Sequence, residues 1–469
     1  MNVSAAAVRT VEFDGALIRK LNQSGPRYTS YPTADRFSES FGYRDYLQAV
    51  AGLRTRGAAK PLSLYLHIPF CDTVCYYCAC NKVVTRKRDK AVTYLSYLKR
   101  EIEMQGRLFA GMNHVEQLHL GGGTPTYLSD EQMGDLMQHV RHWFQLAPDA
   151  DGEYSIEIDP RTVTPERVHS LRRQGFNRVS LGVQDFDPDV QRAVNRVQPE
   201  EETRAIIDAA RSAGFRSVSI DLIYGLPKQN VISMAQTLAK VIAANPDRIA
   251  IYNYAHLPHL FKAQRRILDE DMPSADARLD MLALCIRRLA DAGYTYIGMD
   301  HFARPGDDLA VAQQQGRLHR NFQGYSTHAE ADLVACGVSA IGSVGATYSQ
   351  NVKTLDAYYD ALDKNELPVV RGARLSMDDA LRRTIIQTLM CNFELSVQAI
   401  EQAYPIDFGG YFGPELARLK ALAGDGLLTV GADWLTVTPK GRLLIRNICM
   451  VFDRYLTSAP QIARYSKTI

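Results

Sequence analysis

Residues 62–82 read LSLYLHIPFCDTVCYYCACNK. A short apolar run, Leu62–His67, has the look of a buried strand. It gives way at once to four cysteines, Cys71, Cys75, Cys78 and Cys80. The spacing is C-x3-C-x2-C with one more thiol two residues on. The other cysteines, Cys285, Cys336, Cys391 and Cys449, are scattered. A secreted disulfide scaffold would be short and would spread its cysteines out, so a tight cluster in a long chain points to a metal. Structural zinc favours two separated C-x2-C pairs, and only one pair here has that spacing. A compact multi-iron cluster takes several thiolates from one short loop. Iron–sulfur is therefore the favoured reading, with zinc or no metal as the alternatives. Three ligands on a four-iron cluster would leave one iron open for chemistry.

Downstream of this loop one pattern repeats. Strands are expected at Leu62–His67, Val115–Leu120, Tyr154–Ile158, Arg178–Val183, Ser217–Leu222 and Arg248–Asn253. Helices are expected near 90–106, 130–145, 165–174, 200–213 and 231–244. Ser129 and Thr164 sit where helices should start, the latter before Pro165. Gly175 and Gly214 sit where two should stop. Strand–helix–strand alternation at this spacing implies a parallel sheet, either doubly wound or curled into a complete or partial barrel. The unusual residues follow the strand ends: the cysteines after the first, GGGTP after the second, Glu157 to Pro160 at the third, Gln184-Asp185 after the fourth, Asp221 then YGLP at the fifth, and Tyr254 to His256 after the sixth. Barrel enzymes carry their chemistry at that end.

Composition bounds the rest. The chain has 469 residues, 46% hydrophobic and 23% charged, with a net charge of +2. These are globular proportions, with no global pull toward nucleic acid. Leu333 to Val352 carries no charged residue but is too rich in glycine, serine and amides to span a membrane. The N-terminus lacks a long apolar stretch, so no signal peptide is expected and the expected location is the cytoplasm. Three regions are expected: an N-terminal extension over 1–60, an α/β barrel with extra elements over 61–350, and a mainly helical C-terminal domain over 351–469. The last carries an expected hairpin at 426–437, as a winged-helix domain would.

The C-x3-C-x2-C loop after the first strand of a six-unit βα run resembles the radical S-adenosylmethionine (SAM) superfamily. The resemblance narrows through GPRYTSYPT (25–33), HIPFC…CYYCACNK (67–82), LHLGGGTPTYL (118–128), SIEIDPR (155–161), GVQDF (182–186), IDLIYGLPKQ (220–229), NYAHLP (253–258), GMDHFARPGDDLAVAQ (298–313), HRNFQGY (319–325), GVSAIG (337–342) and KGRLLIRNICM (440–450). Together these are similar to the oxygen-independent coproporphyrinogen III oxidases over nearly the whole chain. One departure is Ala79, where that family usually has glycine. The position would be strained if it requires φ > 0.

The resemblance implies a partial (β/α)6 radical-SAM barrel, one 4Fe–4S cluster and two SAM molecules. It implies that Cys71, Cys75 and Cys78 hold the cluster and Cys80 does not. It places Tyr65, Gly122, Gly123, Thr124, Glu157 and Ile341 at the first SAM, and Tyr77, Gln184, Arg196, Asp221 and Ala255 at the second. Read without it, Gly121-Gly122-Gly123 is a tight turn, and Glu157, Arg196 and Asp221 are structural ion pairs. The implied reaction converts two propionates of coproporphyrinogen III to vinyls, giving protoporphyrinogen IX. It needs an electron donor and an electron acceptor, and a monomer is expected. Arg27 and the basic run Thr85–Lys90 are candidates for the substrate carboxylates, against a plain reading as solvated charge. His256, His301 and His319 read equally well as hydrogen-bonded structural histidines. A haem-chaperone relative and a haem-opening methyltransferase share the loop; Cys80, GPRYTSYPT and the long C-terminal region count against both.

Overall fold

The computed structural model describes residues 11–54, 60–456 and 465–468. The parts of the expected terminal regions at 1–10, 55–59, 457–464 and 469 lie outside the described residues. Six parallel strands form as expected: β1 Leu62–Ile68, β2 His114–Gly122, β3 Glu153–Ile158, β4 Arg178–Gln184, β5 Ser217–Tyr224 and β6 Arg248–Asn253. Each pairs with the next, so sequence order and spatial order coincide. Helices α1 Asp89–Leu108, α2 Asp130–Trp143, α3 Pro165–Arg173, α4 Glu200–Ser212 and α5 Val231–Ala244 alternate with them. Ser129 and Gln132 make a capping box at the start of α2, and Thr164 caps α3 ahead of Pro165.

The sheet extends past the six strands at both edges. β7 Thr295–Gly298 and β8 His301–Ala303 add antiparallel strands beside β6. Beside β1 runs β9 Asp332–Cys336, parallel, followed by antiparallel β10 Ile341–Val344, β11 Thr347–Asn351 and β12 Val369–Arg374. The outermost strands β7 and β12 do not pair, so among the described residues the barrel is open. The sheet runs on beyond residue 350, through β12. A helical unit follows, with helices Met377–Asn392, Val397–Ala403, Gly413–Gly424 and Ile445–Val451. The expected hairpin is there, Leu428–Val430 with Trp434–Val437, joined by a third strand, Glu394–Ser396.

The strands alternate in polarity, because successive side chains point to opposite faces. In β1, Leu62, Leu64, Leu66 and Ile68 are buried in the same core as Leu95, Leu98 and Ile102 of α1. The other face carries Ser63, Tyr65 and His67. Ser63 donates to Gln117 at 2.8 Å, Gln117 donates to Glu153 at 3.1 Å, and Glu153 lies 3.2 Å from Arg178. One layer higher, Tyr65 stacks on His119 at 5.9 Å, and His119 meets Ser155. The barrel is thus lined by polar layers that run from strand to strand.

The region expected as an N-terminal extension is tied to the C-terminal unit. It contains helices Gly15–Leu21 and Tyr43–Arg54, which showed no clear period in the sequence. Arg446 donates to the carbonyls of Gly25 and Pro26, and the Tyr28 hydroxyl donates to Asp453 at 3.0 Å. Among the described residues no helix is long and apolar enough to cross a membrane.

Candidate functional site

The C-terminal ends of β2 to β6 and the cysteine loop enclose a cavity of about 780 Å³. Cys71, Cys75, Cys78 and Cys80 all line it, with Tyr77, Gly122, Gly123, Thr124, Glu157, Gln184, Arg196 and Asp221. Residues far apart in sequence meet here because each sits at the end of its own parallel strand.

The thiols are supported individually. Cys75 is buried, and two guanidinium groups reach its sulfur: Arg196 Nη1 at 3.4 Å and Arg161 Nη2 at 3.6 Å. Both arginines are held by Asp159, at 3.0 and 2.7 Å. Thr124 Oγ1 donates to Cys71 Sγ at 3.6 Å. Burial pushes the Cys71 thiol up to about 11, and that hydroxyl works against the rise. The Cys78 thiol is driven down, chiefly because Cys80 donates to it, with Lys82 close by. Lys82 also ties the loop by donating to the Cys78 carbonyl at 3.0 Å. Positive charge and hydrogen-bond donors favour thiolate over thiol. Among the described residues no three His, Cys, Asp or Glu side chains converge as a single-ion site. Three thiols of one loop around one cavity suit a multi-iron body, and the donor set fits an iron–sulfur cluster. Ala79 is not among the positive-φ residues, so replacing glycine costs no backbone strain there.

The glycine run approaches this loop closely. Gly122 has φ +116, and a Cβ there would lie 2.6 Å from the His67 ring. A Cβ on Gly123 would lie 2.7 Å from the carbonyl of Phe70 and the backbone of Pro69. Only glycine fits both positions. Glu157 accepts from Gly122 N at 3.2 Å and lies 3.3 Å from His119 Nε2. Burial opposes its charge, but His119 and the Gly122 amide outweigh that and hold the carboxyl below the usual range. Its side chain keeps 46% of its surface accessible, so an ionised carboxylate faces the cavity.

Asp221 faces the same space from β5, and Ser180 donates to it at 3.0 Å. Burial first, then the Glu157 charge, pushes its carboxyl up to about 7. Two acidic groups with different proton affinities thus share one wall. Gln184 ends β4 at φ +69, where the register with β5 shifts, and this turns it toward the cavity.

The chain matches the Radical SAM superfamily over residues 65–241 and the HemN C-terminal domain over 375–444. It is 52% identical over 463 residues to oxygen-independent coproporphyrinogen III oxidase of Escherichia coli, covering 99% of this chain and 100% of that one. The Synechocystis protein of the same name is 45% identical over 98% and 99% of the two chains. A solved structure of the Escherichia coli coproporphyrinogen III oxidase, described as a radical SAM enzyme, superposes with a TM-score of 0.91 over 95% of this chain and all of that one. The chain belongs to the oxygen-independent coproporphyrinogen III oxidase family. Membership in this radical SAM family implies a 4Fe–4S cluster and SAM.

Three residues expected at the SAM sites of a coproporphyrinogen III oxidase do not line the cavity. Tyr65 is stacked on His119, with its hydroxyl 3.0 Å from His67. Ile341 opens β10 and packs against the Phe37–Tyr348–Leu375 cluster. The carbonyl of Ala255, like that of Tyr77, accepts from Gln264. Arg196 lines the cavity but spends its Nη groups on Asp159, Cys75 and the Gly182 carbonyl. His256 pairs with Asp269 and Tyr254 away from the cavity. The sequence reading noted Asp159 only as part of the strand end Glu157 to Pro160, and it gave no role to Asp159, Arg161 or His119. Asp159 and Arg161 lie in the quoted SIEIDPR, and their position just past a strand end was the available signal.

Proposed function

We propose that this protein carries out the oxidative decarboxylation of two propionate side chains of coproporphyrinogen III to vinyls, giving protoporphyrinogen IX, and consumes one SAM per vinyl. The observation that carries the reading is the single cavity in which three supported thiols, a glycine run without room for side chains, and an ionised Glu157 face one another. When bound, the cluster and SAM would supply radical abstraction of a hydrogen atom from a propionate β-carbon, and loss of carbon dioxide and of one electron to an acceptor would then leave the vinyl group. That β-hydrogen is too weakly acidic for any side-chain base, so the hard step belongs to the cofactor.

The protein's residues bind, orient and shield. Cys71, Cys75 and Cys78 hold the cluster, with Arg161, Arg196 and Thr124 fixing two of the sulfurs. Gly122, Gly123 and Thr124 let backbone approach the first SAM, and Glu157 takes a polar or cationic group of it. The family resemblance adds Tyr65 and Ile341 as contacts of the first SAM. Tyr77, Gln184, Asp221, Ala255 and Arg196 form the second SAM site. Asp221, adjacent to Glu157 yet less acidic, suits a second ligand that arrives with its own positive charge. Cys80 supports Cys78 as a hydrogen-bond donor and does not ligate. The protein works in the cytoplasm as a monomer and takes electrons from a reduced donor.

The decisive experiment is anaerobic incubation of the cluster-loaded protein with SAM, reductant, an electron acceptor and coproporphyrinogen III. Mass analysis is expected to show loss of two carboxyl groups with two 5′-deoxyadenosines formed per protoporphyrinogen. SAM cleavage with no decarboxylated product would refute the substrate assignment.

A further inference from the structure

Behind Tyr252, which closes one side of the cavity next to Asp221, the structure buries more positive than negative charge. Arg27 comes from the 25–33 loop and lies 6.0 Å from the centre of the Tyr252 ring. His301 opens β8 and meets Tyr252 edge-on at 5.9 Å and Tyr325 at 5.3 Å. Arg320 lies over the Tyr325 ring at 4.8 Å. Four separate elements therefore converge on one spot.

Arg27 is paired with Asp300, and no ion pair to an acid is found for Arg320 among the described residues. Arg320 is only 3% exposed, yet its Nη1 has no hydrogen-bond partner and its Nε reaches only the Arg27 carbonyl, at 3.5 Å. His301 Nδ1 is likewise buried and without a partner. Leaving such groups unsatisfied is costly. The groups also repel one another: burial and then Arg320 lower the proton affinity of both Arg27 and His301. Arg27 nevertheless keeps 34% of its side chain accessible.

We propose that Arg27, Arg320 and His301, gathered behind Tyr252, form a carboxylate subsite that takes a propionate of the tetrapyrrole. This rests on the function proposed above and assigns part of its substrate site. Guanidinium groups match carboxylates in a planar, bidentate geometry, and a neutral imidazole N–H supplies one further donor. Glu157 and Asp221 form an acidic wall of the cavity for SAM, and the cationic group behind Tyr252 receives one of the substrate's acid groups.

The test uses the full-length, cluster-loaded protein and two probes: coproporphyrin III, the stable tetracarboxylate, and its tetramethyl ester. Fluorescence titration is expected to show binding of the acid and much weaker binding of the ester. Arg320→Gln should raise Kd for the acid by about tenfold or more, the scale of one lost charge-assisted contact, while iron content and SAM stoichiometry stay at parent values. Arg320→Lys, which keeps the charge without the fork, should fall between. If Arg320→Gln does not fold by circular dichroism, Arg27→Gln and His301→Ala are read in the same titration, with the same weakening expected. Parent-like affinity in every folded variant overturns the subsite and leaves the proposed function standing. Failure of the parent to prefer the acid overturns both.

Discussion

Asp159→Asn is the substitution that most directly tests how the site is held together. Asp159 is 9% exposed and pairs with Arg196, 7% exposed, and Arg161, 18% exposed. The asparagine keeps the shape and one acceptor oxygen but removes the charge between two guanidinium groups. Breaking a buried ion pair by removing one partner costs about 3–5 kcal/mol. The lower end, about 3 kcal/mol, applies here because the amide still accepts a hydrogen bond and Arg161 keeps some contact with solvent. With an unfolding entropy of about 2.1 cal/mol/K per residue, a chain this long shifts its thermal midpoint by about 1 °C per kcal/mol, so a fall of roughly 3 °C is expected in the cluster-free protein. Burial raises the proton affinity of Asp159, but the two arginines outweigh it and the carboxyl is held below the usual aspartate range. A depressed folded-state value means that the stabilisation is fully present at neutral pH and is lost only in acid, so a melt near neutral pH reads all of it. Asp149→Asn is the matched control. Asp149 pairs with Arg172 at 2.8 Å but is 50% exposed, and such surface pairs contribute about 0–1 kcal/mol, so its midpoint should move by about 1 °C or less. Because both arginines also reach the Cys75 sulfur, Asp159→Asn should in addition lower iron retained per chain after anaerobic reconstitution, and Asp149→Asn should not. Equal midpoints for the two variants would refute the claim that the Asp159 pairs hold this wall of the cavity.

Gly123→Ala should abolish cluster loading, since its Cβ would stand 2.7 Å from the Phe70 carbonyl. Iron per chain measures this, and a parent-like value would mean that the backbone approach is looser than the geometry requires. Cys71→Ser, Cys75→Ser and Cys78→Ser should each lose the cluster's visible absorbance, and Cys80→Ser should keep it. Loss in Cys80→Ser alone would reverse the ligand assignment. Asp221 titrates near 7, far above an unfolded aspartate. The folded state therefore binds the extra proton, and stability falls as pH rises from about 4 through about 7. Asp221→Asn should flatten that part of the midpoint-against-pH curve. It should also remove any strengthening of SAM binding with pH near neutrality, measured by equilibrium dialysis. An unchanged midpoint curve would refute the raised proton affinity.

The barrel was readable because its six strands are short apolar runs set between capped helices, such as Ser129–Gln132 before α2. The cysteine loop was readable because its four thiols are local, all within ten residues. What the sequence concealed depends on register. Asp159, Arg161, Arg196 and Cys75 come from three separate stretches, and only the side-by-side alignment of β3 and β4 brings them together. The outer strands β9 to β12 were hidden for a different reason. Their run from Leu333 is rich in glycine and serine, which have low strand propensity. Gly342 nevertheless belongs there, because a Cβ would meet the Leu333 carbonyl at 2.8 Å. The N-terminal region looked patternless because its anchors are distant: Arg446 holds Gly25 and Pro26.

The open barrel explains why there is a cavity at all. A closed eight-stranded barrel is just wide enough for its own side chains to fill it. Here the edges of β6 and β1 are taken by β8 and β9, so no strand edge of the six is left unpaired and closure is unnecessary. The sheet can curl more gently. Its inward positions near the mouth are small, Ser155, Ser180 and Gly182, and each either hydrogen-bonds a functional side chain or makes room for one. Ser155 meets His119, Ser180 donates to Asp221, and Gly182 leaves space for Gln184 and Arg196, whose side-chain nitrogens would lie 2.9 and 3.0 Å from a Cβ placed there. Enlarging Gly182 would therefore push on both residues at once, so the cavity's width and the aim of its charged groups are set by the same small side chains.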